Sequence, residues 1–178
     1  MSHRVDALAA GPRSLFDYIG GQFDCSVGWR DVEWLAREWG GLLAITGVMT
    51  PEDACRSIAS GATGVMISNH GGRQLDGEPA PVHQIAAVRE AVGDASDVIC
   101  DGGIRLGSDV VKALALGATA CSIGRPYLYC LAAGGEADVD RVLTLLGDEF
   151  QTTLTLAGVN DVAGISDRHV RRRLSSPG

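Results

Sequence analysis

Lysine is almost missing from this sequence. Fourteen of its 15 basic residues are arginine, and Lys112 is the exception. Any chemistry that needs an ammonium group therefore has one residue to draw on, and that residue sits mid-helix in Asp109-Val110-Val111-Lys112-Ala113-Leu114-Ala115-Leu116. No apolar run reaches membrane-spanning length, and no signal-peptide pattern opens the chain, so a cytoplasmic location and no membrane span are expected. The five cysteines, Cys25, Cys55, Cys100, Cys121 and Cys130, include no C-x-x-C pair and are odd in number. That excludes a disulfide framework or a zinc site as the simple reading and leaves reduced thiols. A net charge of −7 argues against a general nucleic-acid surface. What remains, at 178 residues with 46% apolar and 21% charged, is an ordinary globular composition with material for one core.

Strand-like and helix-like segments alternate, which implies βα units and a parallel sheet, a fold of class α/β. Helices are predicted from Trp29 to Trp39, Thr50 to Ser60, Val82 to Val92, Ser108 to Leu116 and Val139 to Leu156. Strands are predicted at Leu42 to Ile45, Gly64 to Ser68, Val98 to Asp101 and Ala120 to Ile123. Val32, Leu35 and Trp39 share a helical face, and the three tryptophans are read as packing residues. Thr50 is a plausible N-cap, with Pro51 tolerated in the first turn. Gly61-Ala62-Thr63 and Gly117-Ala118-Thr119 form a weak internal repeat, each ending a helix and entering a strand. The count is four βα units in residues 22–178, preceded by a poorly patterned segment, residues 1–21.

Chemistry gathers where strands end. Ser68-Asn69-His70-Gly71-Gly72-Arg73-Gln74-Leu75-Asp76 follows the apolar run Gly64-Val65-Met66-Ile67. A neutral imidazole can take a proton, and a guanidinium can hold a carboxylate through paired hydrogen bonds. Asp101-Gly102-Gly103-Ile104-Arg105 and Gly124-Arg125-Pro126 follow two further apolar runs. Paired glycines let backbone N–H groups approach an anion, and arginines add charge for it. Blander readings stand beside these. His70 could cap a glycine turn, Arg73 could serve a surface ion pair, and Arg105 could pair with Asp109. Asp101 could either face a ligand or accept hydrogen bonds within its own turn. His3, His83 and His169 are read as solvent-facing.

Together with Ala113-Leu114-Ala115-Leu116-Gly117-Ala118 and Phe150 in Gly147-Asp148-Glu149-Phe150, these motifs resemble the FMN-dependent α-hydroxy-acid dehydrogenases and oxidases over roughly Phe23 to Val170. The resemblance implies the C-terminal half of a TIM (β/α)8 barrel that binds FMN and oxidises a small L-2-hydroxy acid to the 2-oxo acid. It implies that His70 is the catalytic base and that Arg73 grips the substrate carboxylate. Ser68, Asp101, Gly102, Gly103, Ile104, Arg105, Gly124 and Arg125 would surround the cofactor, and no metal is implied. Thr46 stands where the family normally has a lysine that neutralises charge on the reduced flavin. A barrel of this kind needs about 250 residues. Four units would leave open strand edges and an uncovered inner face, so self-association or a complementary N-terminal half is expected. Two other functions compete: a different phosphate-ligand barrel, such as an IMP-dehydrogenase-like or isoprenoid-isomerase-like enzyme, and a non-catalytic half-barrel remnant.

Overall fold

The computed structural model describes Tyr18 and residues 20–171. Most of the unpatterned opening segment, His3 included, lies outside the described residues. The elements run α1 (Trp29–Trp39), β1 (Ala44–Thr46), α2 (Pro51–Ala59), β2 (Gly64–Ser68), α3 (Ile85–Val92), β3 (Asp97–Asp101), α4 (Gly107–Ala115), β4 (Ala120–Ser122), α5 (Arg125–Gly134) and α6 (Glu136–Ala157). The four strands are parallel and lie in the order β1-β2-β3-β4.

Register sorts the strand residues onto two faces, because paired residues of parallel strands point the same way. Val65 pairs with Val98, and Ile67 with Cys100 and through it Cys121. This face is sealed by α2, α3 and α4, whose Ala54, Ile85, Val88 and Ala113 join it in one buried core. On the other face Thr46 pairs with Met66, Met66 with Ile99, and Ile99 with Ala120. Here Thr46 and Ala120 are exposed and Met66 and Ile99 are only half-buried. A one-sided sheet of this kind is half of a barrel wall, with its inner face uncovered.

The Gly-Ala-Thr repeat has a physical basis. Gly61 and Gly117 take φ values of +100° and +105°, which end α2 and α4 at little steric cost. Thr63 Oγ1 accepts the Leu43 N–H at 3.0 Å and donates to the Leu43 carbonyl at 3.1 Å. Thr119 Oγ1 does the same to Val98, at 3.1 Å and 3.1 Å. Each threonine thus ties the start of its strand to its neighbour and sets the register. Arg89 locks the same end of the sheet, donating to the carbonyls of Gly117, Gly93 and Ser96 at 2.8, 2.5 and 2.9 Å.

Some expectations need correction. The stretch opening Gly124-Arg125-Pro126 is a ten-residue helix, α5, with Pro126 in its first turn where a missing N–H costs nothing. The final helix starts earlier than Val139, at Glu136. A single 3₁₀ turn, Pro81–His83, precedes α3, which begins at Ile85 rather than Val82. Trp34 and Trp39 are 55% and 65% exposed instead of packed. The reason is position: α1 touches the end of α2 through Ala36 against Gly61, while the Arg56 guanidinium covers Trp29 at 5.1 Å. His169 is half-buried and not solvent-facing, with Nδ1 lying 3.1 Å from the Ser166 N–H.

Cys100 and Cys121 adjoin on the helix-covered face. Burial, and next the Asp101 charge, push the Cys100 thiol up to about 11. Burial, then Cys100, then Asp109, push Cys121 up to about 12. At pH 8 only about one Cys100 thiol in a thousand is the reactive thiolate. A chromogenic disulfide reagent should therefore label exposed Cys25 and Cys55 first and reach Cys100 and Cys121 only on unfolding. Rapid labelling of all five in the native chain would contradict this packing.

Candidate active site

All four strands run the same way, so Thr46, Ser68, Asp101 and Ser122 end on one rim. Side chains that follow these residues can meet there, and specific contacts show that they do.

The loop after β2 is a tight left-handed turn. His70, Gly71 and Gly72 take φ values of 52°, 67° and 74° in succession. His70 is the one non-glycine residue with positive φ among the described residues. Asn69 Oδ1 accepts the Gly71 N–H at 3.1 Å, and the Asn69 carbonyl accepts the Gly72 N–H at 2.9 Å. The turn swings the imidazole back across the rim toward β1, where a Cβ on Gly47 would lie 2.9 Å from His70 Nε2. Gly47, at φ +85°, leaves room for the ring. Thr46, the residue before it, is exposed on the inner face beside His70. Arg73 closes the turn through its N–H to the His70 carbonyl at 3.4 Å, and its side chain is exposed.

The next two corners converge on this turn. Arg125, the first residue of α5, donates from Nη2 to the Gly71 carbonyl at 3.1 Å, tying the β4 corner to the β2 corner across β3. Between them, Gly102 and Gly103 take φ values of 115° and 80°. A Cβ on Gly103 or on Gly124 would meet nothing within 4 Å, so both α-carbons border open space. Ile104 is buried and anchors the corner, while Arg105 is exposed. An anion of phosphate size fits this setting: two open glycine corners, a ten-residue helix that Gly124 precedes, and two arginines.

Asp101 does not serve its own turn. Its Oδ2 accepts the Ser68 hydroxyl at 2.6 Å, across one strand pair. Arg105 does not pair with Asp109 through its side chain either. Asp109 Oδ2 accepts the backbone N–H groups of Arg105 and Leu106, each at 3.2 Å, and Oδ1 pairs with Lys112 at 3.0 Å. Burial raises the Asp109 carboxyl, but the Lys112 hydrogen bond and these backbone donors outweigh it and hold the group below its ordinary value. The one lysine is thus engaged on the outer helix layer, away from Thr46. Sequence reasoning missed the Ser68–Asp101 bond, because two strand ends 33 residues apart carry no local signal of their pairing.

A parallel β/α array with imidazole, guanidinium and glycine corners on one rim is part of a TIM-barrel flavoenzyme architecture. The chain belongs to the FMN-dependent dehydrogenase family, an oxidoreductase family whose pattern matches residues 3–172. It is 44% identical over 170 residues to an L-lactate dehydrogenase of Caulobacter vibrioides, covering 96% of this chain and 44% of that protein. Among solved structures, the monotopic membrane protein (S)-mandelate dehydrogenase superposes with a TM-score of 0.83 at 44% identity, over 88% of this chain and 41% of that one. A mutant flavocytochrome b2 with pyruvate bound gives 0.80 at 34% identity, over 88% and 43%. The chain therefore spans less than half the length of the proteins it matches. No helix among the described residues is long and apolar enough to cross a membrane.

Proposed function

We propose that this chain carries the phosphate-binding and proton-accepting rim of an FMN-dependent oxidoreductase acting on a small L-2-hydroxy acid. Residues 22–178 would form the half-barrel, with residues 1–21 leading into it. Gly102, Gly103, Ile104, Arg105, Gly124 and Arg125 would hold the FMN phosphate, with Ser68 and Thr46 nearer the ring system. When bound, FMN supplies the two-electron acceptor that turns a 2-hydroxy acid into a 2-oxo acid. Arg73, exposed on the rim, would clamp the substrate carboxylate with paired hydrogen bonds. His70 Nε2, aimed across Gly47, would accept the proton released as the substrate is oxidised. The observation that carries this reading is the Arg125–Gly71 hydrogen bond, which joins the anion corner to the histidine turn. The pyruvate in flavocytochrome b2, a 2-oxo acid, is consistent with the substrate class.

The uncovered inner face and the two three-residue edge strands support a need for a further barrel half, supplied by a complementary chain or by self-association. The free thiols fit a cytoplasmic setting, while the membrane association of mandelate dehydrogenase offers a membrane surface as the alternative. A second reading, a half-barrel that no longer catalyses, is favoured by one specific residue, the uncharged Thr46.

Purification with added FMN separates the two. The enzyme reading expects a yellow protein that bleaches anaerobically with L-lactate or glycolate and stays yellow after His70→Ala. A protein that retains flavin but never bleaches, even with a complementary half added, supports the remnant.

A further inference from the structure

We propose that Asp101 is a positioning residue for His70, acting through the Ser68 hydroxyl on the backbone of the histidine and not through its ring. The catalytic consequence rests on the proposed role of His70; the device itself rests on geometry alone.

Ser68 is 1% exposed, so its hydroxyl must find partners inside the protein. It has one proton, and that proton goes to Asp101 Oδ2 at 2.6 Å. A carboxylate can only accept, so the pair has one possible direction, and the bond is of the short, charge-assisted kind. With its proton committed to β3, the oxygen turns a lone pair to the other side. There it accepts the His70 N–H at 3.1 Å.

That N–H belongs to a residue in an unfavourable conformation. A left-handed backbone is disfavoured for an L-residue by its Cβ, and His70, at φ 52°, has no glycine freedom to avoid that cost. The succeeding Gly71 and Gly72 make the turn possible, but they do not hold His70 in it. Two side-chain acceptors do: Ser68 Oγ on the His70 N–H and Asn69 Oδ1 on the Gly71 N–H. Asn69 grips the turn from the loop itself. Ser68 grips it from the sheet, and its orientation is fixed from β3. Asp101 stands on the opposite side of β2 from Gly47, over which the imidazole lies, so it acts at a distance on the direction of the ring. The chain of contacts links the glycine corner to the histidine turn, so an anion seated at Gly102 and Gly103 adjoins the residue that sets the His70 backbone.

The test uses the full chain, isotopically labelled, and reads amide hydrogen exchange residue by residue. In Asp101→Ala, exchange at His70 is expected to rise about tenfold or more, while Val65 and Val98 in the buried strands keep their rates. Ser68→Ala should match it, and the double variant should add nothing further, because both changes break one path. Asp101→Asn keeps an acceptor oxygen and should retain most of the protection. An unchanged His70 rate in Asp101→Ala, additive effects in the double variant, or a uniform rise across the sheet would each overturn the proposal. Should the alanine variants fail to fold, the unmodified chain still decides: a His70 amide exchanging at the rate of unstructured peptide refutes the relay. If the chain takes up FMN, Asp101→Ala should lower kcat severalfold at an unchanged substrate KM, and Asp101→Asn should restore most of it. If it takes up none, the functional reading fails while the exchange result stands.

Discussion

Thr46→Lys should raise the rate of flavin reduction by about a hundredfold to a thousandfold in the FMN-loaded chain, using the loss of one preorganised donor at a developing anion, roughly 3–4 kcal/mol, as the guide. Thr46 ends β1 on the exposed inner face, one residue before the glycine that His70 overlies. A lysine there places a cation on the rim, where its register partner on the neighbouring strand is Met66, which carries no charge. Lys112 cannot substitute, because its ammonium is bound to Asp109 on the far side of the sheet. Thr46→Met is the control: similar length without charge should leave the rate where it was. Stopped-flow absorbance under anaerobic conditions measures both. If Thr46→Lys changes nothing, the charge is not the limiting defect, and completion of the barrel is.

The convergence of His70, Arg125 and the glycine corner could be anticipated from sequence because parallel topology does most of the work. Once strands alternate with helices, every strand end falls on one rim, and residues just past them become neighbours whatever their separation in the chain. The Thr50 cap was legible for the opposite reason: its partner, the Asp53 N–H, is three residues away. What escaped were pairings set by register between strands, such as Ser68 with Asp101, and the helix α5, whose opening Gly-Arg-Pro reads equally as a loop. The exposure of Trp34 and Trp39 was hidden too. A helical apolar face signals burial only if another element lies against it, and α1 meets α2 through Ala36 and Trp29 while Trp34 and Trp39 stay exposed.

Gly107→Ala should destabilise the fold by about 3 kcal/mol, lowering Tm by roughly 6–12 °C for a chain of this size. The direction runs against intrinsic preference, since alanine favours helix over glycine by up to about 1 kcal/mol. Gly107 opens α4 where α6 crosses it, and its N–H donates to Glu149 Oε2 at 2.9 Å. A Cβ there would collide with the Phe150 backbone nitrogen and lie 2.6 Å from the Glu149 carbonyl carbon and 2.7 Å from Glu149 Cβ. Backbone atoms of a packed 22-residue helix cannot step aside as a flexible side chain could. Relief requires moving α4 off α6, which separates Val111 from Leu154 and Phe150 in the smaller core cluster. It also drags Ile104 and Arg105, since the loop between β3 and α4 is short and pinned by Asp109. Anion affinity at the rim should therefore fall together with stability. Gly147→Ala is the matched control: it lies in the interior of α6 with nothing within 4 Å of a new Cβ, and it should raise stability by about 0.5–1 kcal/mol. Thermal unfolding followed by circular dichroism tests both signs at once. Equal shifts in the two variants would mean that the α4–α6 contact is not as close as described, and with it the anchoring of the phosphate corner.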